Sequence, residues 1–283
     1  MTIPAGQPAT ATPAPASSLP SLAALARTAA GYLGLWFGLL TCGTLFLGWC
    51  AVAGLVSPFM AATERRRVGR LGMHKIFSFF LRILHAFGIV KVDNQALLAL
   101  RHEPALILAP NHPSMLDVVL VISRLENVGC IMKAELWDNV FLGAGARMAD
   151  FIRNDCAQNM IRLAVRDLKR GSHLLIFPEA TRTVRAPVNP LAGGYALVAK
   201  KAGASIQTIL IETESPYLRK GWPLFRLPPM PIHYSVRLGR RFEPCDDVDS
   251  LVAEMERYYI EELEGAERDV EADGEGPAMR RAA

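Results

Sequence analysis

The sequence predicts an α/β fold in which a mostly parallel central sheet is flanked by helices and preceded by a transmembrane or hairpin membrane anchor. Three observations lead to this prediction. A long apolar stretch without charge lies near the N-terminus, short apolar runs alternate with helical patterns after residue 92, and the five cysteines form no CxxC pair. With 283 residues, 51% of them hydrophobic, the chain can build one sizeable core and a separate anchor.

The first 63 residues divide into a tail and an anchor. Residues 1–27 are rich in Pro, Ala, Ser and Thr and are predicted to be a disordered tail. Residues 28–63 carry no charge and exceed the roughly 20 residues that a membrane-crossing helix needs. Gly43 and Pro58 offer places to break, so either one tilted span or a helical hairpin fits. A cleaved signal peptide is the competing interpretation, but the apolar stretch is too long for one.

Residues 64–91 are predicted to be a basic, interfacial helix. Five cations follow the anchor closely: Arg65, Arg66, Arg67, Arg70 and Lys75. Under the positive-inside rule this cluster keeps the rest of the chain in the cytoplasm, and its members can also bind anionic lipid headgroups. The absence of a disulfide framework agrees with a reducing compartment. The predicted location is the inner, cytoplasmic membrane, with the folded domain facing the cytoplasm.

Residues 92–263 are predicted to form the folded domain, followed by a flexible acidic tail over residues 264–283. Five apolar runs are predicted as strands: Ala105–Ala109, Gly129–Met132, His173–Phe177, Ser205–Ile211 and Ile232–Leu238. Four stretches are predicted as helices: Met115–Leu125, Ala157–Lys169, Gly194–Lys201 and Leu251–Leu263. Alternating strands and helices of this kind favour a parallel sheet covered by helices.

A first group of polar residues follows the first predicted strand, at the edge where open α/β sheets bind ligands. It contains Asn111, His112 and Asp117. Side chains five residues apart point about 140 degrees apart on a regular helix, so His112 and Asp117 meet only if the histidine precedes the helix. Pro113 favours this because it makes the preceding residue extended. A carboxylate that orients an imidazole makes a general base for a hydroxyl; a structural histidine is the alternative.

A second group follows the third predicted strand and contains Glu179, Thr181 and Arg182. The guanidinium of Arg182 can bind a phosphate through two parallel hydrogen bonds, and Glu179 can orient it or bind substrate hydroxyls. A salt-bridged loop with a helix cap is the alternative interpretation. The six histidines are scattered without a ligand pair, so neither a metal nor a cofactor is predicted.

Together the two groups resemble the glycerolipid acyltransferase superfamily, which includes 1-acylglycerol-3-phosphate acyltransferase. Asn111, His112 and Asp117 meet its NHxxxxD motif, and residues 177–183 are similar to its FPEGTRS block, with Ala and Thr in place of Gly and Ser. The resemblance implies that His112 and Asp117 are the catalytic base and that Glu179, Thr181, Arg182 and Asn111 bind the substrate. Lys133 lies in a stretch similar to the family's KxEL motif. Arg153 lies in one similar to its FIDR motif, displaced by one position.

The resemblance also implies a reaction. A fatty acyl group would pass from acyl-CoA or acyl carrier protein to a hydroxyl of a lysophospholipid, most directly 1-acylglycerol-3-phosphate, to give phosphatidic acid. The implied partners are these substrates and membrane lipids, without nucleic acid. One alternative is an O-acyltransferase for a different lipid, such as an amino-acid lipid or a pigment lipid. The others are a lipid hydrolase that uses the same pair with water and a non-catalytic lipid-binding adaptor.

Overall fold

The computed structural model describes residues 21–139 and 143–274, with the side chains of the last helix up to residue 265. Most of the predicted N-terminal tail and residues 275–283 of the acidic tail therefore lie outside the described residues. The strands are β1 Val90–Asp93, β2 Ile107–Pro110, β3 Val128–Lys133, β4 Ile152–Asn154, β5 His173–Leu175, β6 Ile206–Glu212 and β7 Ile232–Phe242. The helices are α1 Leu22–Val56, α2 Ala62–Ala86, α3 Asp117–Ile122, α4 Ala134–Asp138, α5 Gly143–Met148, α6 Ala157–Lys169, α7 Gly194–Ala202 and α8 Val248–Gly274.

The strands form one seven-stranded sheet in the order β1-β7-β6-β2-β5-β3-β4. Neighbouring strands run parallel except for β6 and β7, which are antiparallel. The predicted mostly parallel sheet is thus confirmed, and each of the five predicted strands is present. The sequence interpretation missed β1 and β4, which lie at the two edges and are only 4 and 3 residues long. Strands this short give no alternating pattern that can be recognised.

The inner strands are buried on both faces, which explains why they read as continuous apolar runs. Leu108 and Leu175 belong to the core shared with α2 and α3. Ile107 and Leu174 belong to the core on the opposite face, shared with α6, α7 and α8. The carboxyl ends of β2 and β5 lead directly into the two polar motifs.

The predicted anchor forms one continuous helix, α1, without a break at Gly43. The chain turns only after Val56, in a single 3-10 turn over Ser57–Phe59 that contains Pro58. Among the described residues, Leu22–Phe59 is the one helical segment long and apolar enough to cross a membrane, and only 11% of its most apolar window is buried. At about 1.5 Å per residue, α1 is longer than a hydrocarbon core of about 30 Å.

One side of α1 packs along the domain instead of projecting away from it. Gly34 faces Ile89, and Gly38 faces Leu84. Nearer the C-terminal end, a Cβ atom added to Gly72 of α2 would lie 2.2 Å from the ring of Trp49. The spacing of Gly34 and Gly38 therefore serves packing within the chain, and the opposite side of α1 exposes large apolar side chains such as Leu33, Leu40 and Leu55.

A buried ionic cluster joins α2 to the domain. The carboxylate of Asp167 on α6 accepts hydrogen bonds from Arg70 Nη2 at 2.7 Å and Arg66 Nη1 at 2.9 Å. Arg70 is 2% exposed, and its Nε also donates to the carbonyl of Ala149 at 3.0 Å. Arg66 and Arg70 were predicted to bind lipid headgroups as members of the basic cluster, but in the structure their guanidiniums point into the protein.

Candidate active site

The two motif loops meet because β2 and β5 are parallel neighbours, so their carboxyl ends lie at the same sheet edge. One loop follows β2 and contains His112, and the other follows β5 and contains residues 177–183. The backbone N–H of Thr183 donates to the carbonyl of His112 at 2.7 Å. This bond fixes the spacing between the loops.

His112 and Asp117 form a hydrogen-bonded pair, with Nδ1 of the ring 2.8 Å from Oδ2 of the carboxylate. The helix α3 begins at Asp117, so the histidine lies before the helix, as the proline argument predicted. Asp117 is fully buried, and the same Oδ2 accepts the N–H of Ser114 at 2.8 Å. Ser114 Oγ accepts in turn from Leu116 N at 3.1 Å, in a reciprocal arrangement similar to a capping box.

One ring nitrogen of His112, Nε2, is able to accept a proton. An ionised carboxylate can only accept hydrogen bonds, so Nδ1 carries the ring proton and donates a hydrogen bond to Asp117. The other ring nitrogen, Nε2, is left with a lone pair. The ring stacks on Phe177 with centroids 3.8 Å apart and an interplanar angle of 21°. The side chain of His112 is 15% exposed, against 0% for Asp117. The pair therefore has the geometry of a general base whose carboxylate is shielded from solvent.

Burial raises the pKa of Asp117 from its usual 3.8 to about 6, although the hydrogen bond from His112 opposes this shift. Because the pKa is raised, the carboxyl takes up a proton when the pH falls through about 6, and a protonated Asp117 no longer stabilises an imidazolium. We expect kcat/KM to be constant near neutral pH and to fall about tenfold per unit below pH 6. A profile measured from about pH 5 to about pH 8 checks this; a rate that stays flat to the acid end would contradict it.

Glu179 is buried and connects the two motif loops. Its Oε1 accepts the backbone N–H of His112 and the hydroxyl of Thr183, each at 2.8 Å. Its Oε2 accepts the backbone N–H of Asn189 at 2.8 Å. Both carboxylate oxygens therefore help to position the loops, and the contact of Glu179 with the substrate stays a prediction.

The side chain of Asn111 forms hydrogen bonds within the protein. Its Nδ2 donates to the carbonyl of Ile211 at 2.9 Å, and its Oδ1 accepts the N–H of Ile211 at 2.7 Å. The amide thus pairs with the backbone of β6 and extends the ladder beyond the end of β2. These two bonds hold the residue directly before His112 against the sheet, and the contact of Asn111 with the substrate stays a prediction.

Arg182 lies beside the pair but is directed toward a third loop, residues 213–231, which joins β6 to β7. Its Nη1 donates to the carbonyls of Leu218 at 2.8 Å and Arg219 at 3.2 Å. Among the described residues, Nε and Nη2 have no hydrogen-bond partner. Thr181, the neighbouring residue, accepts a hydrogen bond from Lys220 Nζ at 3.3 Å. The guanidinium is therefore held in place by Nη1, and its Nε and Nη2 groups can still donate hydrogen bonds to a ligand.

Two comparisons bear on this arrangement. Residues 89–212, which include both motif loops, match the model of the Acyltransferase family. The matched residues run from β1 to the end of β6. The chain is also similar in fold to the crystal structure of the 1-acyl-sn-glycerophosphate (LPA) acyltransferase PlsC from Thermotoga maritima, with a TM-score of 0.62 and 17% identity over 86% of this chain and 97% of that chain. The predicted family resemblance and the prediction of an acyltransferase enzyme are confirmed, and the second likeness concerns the fold.

The other two predicted site residues, Lys133 and Arg153, lie farther along the sheet. Lys133 ends β3 and Arg153 lies on β4, two and three strands from β2, or roughly 10 and 14 Å at about 4.8 Å per strand. Lys133 is exposed. Arg153 forms ion pairs with Asp138 and Asp155, so its charge is neutralised where it lies. Neither contacts a residue of the two motif loops among the described residues.

Several residues that support the acyltransferase site were not found from the sequence. Asn189 Oδ1 accepts the backbone N–H groups of Val184 and Arg185, and its Nδ2 donates to the carbonyl of Arg182. Tyr234 OH lies 2.9 Å from Ser114 Oγ, and this contact holds the serine hydroxyl inside the fold. Tyr234 comes from a distant part of the chain, and no local motif marks either residue.

Ala180 occupies the position where the family pattern has Gly, and its φ is 55°, in the left-handed region. The side chain is exposed, so Ala180→Gly removes the steric cost of this conformation without leaving a cavity. We expect the free energy of unfolding to rise by about 1 kcal/mol. Thermal or denaturant unfolding measures it. The matched control is Ala253→Gly, an exposed alanine inside α8, which should lower stability by about 1 kcal/mol; a loss of stability in both variants would contradict the strain.

Proposed function

We propose that the protein is a membrane-bound O-acyltransferase that acylates a hydroxyl of a lysophospholipid, most directly 1-acylglycerol-3-phosphate, using acyl-CoA or acyl carrier protein as donor. The observation that carries the proposal is the contact between His112 Nδ1 and Asp117 Oδ2 at 2.8 Å, next to a loop that presents Arg182. A base for a hydroxyl and a cation for a phosphate are the two requirements of such an acceptor.

The reaction needs no nucleophile from the protein. His112 Nε2 takes the proton of the acceptor hydroxyl, and the oxygen attacks the thioester carbonyl. The tetrahedral intermediate collapses with loss of the thiolate, which receives the proton from the imidazolium. Ser114 has no part in this because its hydroxyl is fully buried against Tyr234. Asp117 keeps Nδ1 protonated and stabilises the imidazolium.

Backbone amides near the pair are available for the developing oxyanion. The N–H groups of Ala180 and Thr183 already donate to carbonyls of Phe177 and His112. Those of Thr181 and Arg182 have no backbone partner among the described residues. We assign the oxyanion to these two amides, since an acyl group beside His112 Nε2 approaches the same loop.

The exposed apolar surface supports attachment to a bilayer, where both lipid substrates reside. One side of α1 exposes large apolar side chains over most of its length. The third loop extends this surface, because Phe225 stacks on Trp36 with ring centroids 5.1 Å apart, and Leu224 and Phe225 remain 42% and 57% exposed. An apolar surface continuous from α1 to a loop that contacts Arg182 suits entry of a lipid acceptor from the membrane.

Product analysis by mass spectrometry tests the proposal directly. The purified full-length protein in lipid vesicles is offered lysophosphatidate, other lysophospholipids and an amino-acid lysolipid, each with acyl-CoA and with acyl carrier protein. We expect phosphatidic acid to form faster than the other acylated products. Release of free fatty acid without dependence on acceptor would identify a hydrolase instead, and preferential acylation of another lipid would overturn the choice of acceptor.

A further inference from the structure

The third loop, residues 213–231, has neither helix nor strand and exceeds the roughly 12–15 residues that such connections ordinarily reach. Long ordered loops of this kind are usually functional. The carbonyl of Leu218 accepts both the N–H of Met115, in the first motif loop, and Nη1 of Arg182, in the second. The third loop therefore forms a wall of the same site.

The backbone at the centre of this wall is constrained. Leu218 has φ 62°, a left-handed conformation that residues with a Cβ rarely adopt. Strained backbone persists where surrounding contacts determine it, and the two hydrogen bonds to the Leu218 carbonyl are such contacts. The conformation directs the next residues, Arg219 and Lys220, over the second motif loop.

Lys220 places a second cation beside Arg182. Its Nζ donates to Thr181 Oγ1 at 3.3 Å, and Thr181 is the residue that directly precedes Arg182. An ammonium has three donors, so others remain for a ligand. In the part of the chain that the structure describes, neither Lys220 nor Arg182 forms an ion pair with a carboxylate, and nearby Glu179 is buried with both oxygens occupied.

Two cations without a carboxylate partner, Arg182 and the Lys220 that contacts its neighbour Thr181, match the charge of a phosphate monoester. A neutral headgroup offers neither cation a partner. Arg153, in contrast, lies about 14 Å along the edge and already has two acidic partners. We propose that Lys220 binds the acceptor's phosphate monoester together with Arg182 and thereby selects phosphate-bearing acceptors over neutral ones. This inference rests on the proposed function and names the residue that sets its acceptor class.

Steady-state kinetics with two acceptors test the role of Lys220. Rates of acyl transfer are measured for lysophosphatidate and for monoacylglycerol, which lacks the phosphate, with the wild type, Lys220→Met and Lys220→Arg. For Lys220→Met we expect KM for lysophosphatidate to rise about tenfold while kcat stays within about twofold. Lys220→Arg should restore the KM, and KM for monoacylglycerol should not change in either variant.

The matched control is Lys169→Met, an exposed lysine at the end of α6, on the opposite side of the sheet from the motif loops. It should leave both KM values unchanged. An unchanged KM for lysophosphatidate in Lys220→Met would overturn the proposal. So would an equal rise of KM for both acceptors, since that indicates a change in loop shape and not the loss of a phosphate contact.

A binding measurement separates this proposal from the proposed function. Glycerol 3-phosphate, a soluble probe with the same phosphate monoester, is titrated into the full-length wild type and Lys220→Met by calorimetry. We expect about tenfold weaker binding to the variant, and the difference should shrink at high salt. Equal binding to both proteins, or none to the wild type, refutes the phosphate site. If the variant binds glycerol 3-phosphate more weakly but the wild type transfers no acyl group to lysophosphatidate, the phosphate site stands. Only the choice of lysophosphatidate as acceptor is then refuted.

Discussion

Replacing His112 with Ala is expected to reduce kcat by about 10³-fold, because the acceptor hydroxyl then loses the group that takes its proton. The imidazole stacks on Phe177 and is only partly exposed, but its loss removes no hydrogen bond of the buried core except the one to Asp117. The fold should therefore survive. Turnover is measured by formation of acylated product, and folding by circular dichroism and thermal unfolding.

His102→Ala serves as the matched control, since this histidine is exposed in the connection before β2 and contacts neither motif loop. Its variant should retain the wild-type rate. If His112→Ala kept more than about a tenth of the wild-type turnover while folded, the base would have to be another group, since general bases contribute roughly 10²-fold or more.

Asp117→Asn should also reduce kcat by about 10³-fold, although the side chains have nearly the same shape. His112 Nδ1 and the N–H of Ser114 both contact the same atom, Oδ2, so the asparagine oxygen at that position can accept both bonds. The amide is neutral, however, and no longer stabilises the imidazolium that forms when Nε2 takes the proton of the substrate. Initial rates at neutral pH measure the loss.

The same variant should not lose stability, which separates a chemical effect from a structural one. Burial raises the pKa of Asp117 to about 6, so the ionised carboxylate destabilises the folded state above that pH, and this cost is absent well below it. At pH values above the raised pKa, the neutral asparagine removes the cost. We expect an equal or higher Tm for the variant near neutral pH. A lower Tm accompanied by loss of activity would indicate that the carboxylate mainly holds the fold.

The sequence was sufficient to predict the central strands and the contact between His112 and Asp117, for physical reasons. The residues of a strand such as β2 (ILAP) are all buried and are apolar throughout. His112 and Asp117 lie five residues apart, and Pro113 alone limits how they can be arranged. Both patterns involve residues that are close in the sequence, so they can be recognised without knowledge of the tertiary structure.

The supporting contacts could not be predicted because they join distant residues. Nothing in the sequence shows that Glu179 would turn inward to the backbone amides of His112 and Asn189. Arg70 and Asp167 are 97 positions apart in the sequence. The residues around Arg70 therefore do not show whether its side chain faces lipid or pairs with a carboxylate in the core. The 213–231 loop carries no motif, and its relation to Arg182 depends on a carbonyl group, which every residue has.

The cluster of Arg66, Arg70 and Asp167 has a practical consequence for obtaining the enzyme without lipid. Removing α1 and α2 to isolate a water-soluble fragment would leave the acidic group of Asp167 uncompensated beneath α6 and uncover the apolar side chains that Phe77, Phe80 and Leu84 now cover. Both helices contribute to the hydrophobic core, so a fragment that begins after them would be an unstable polypeptide. Purification should therefore keep the whole chain.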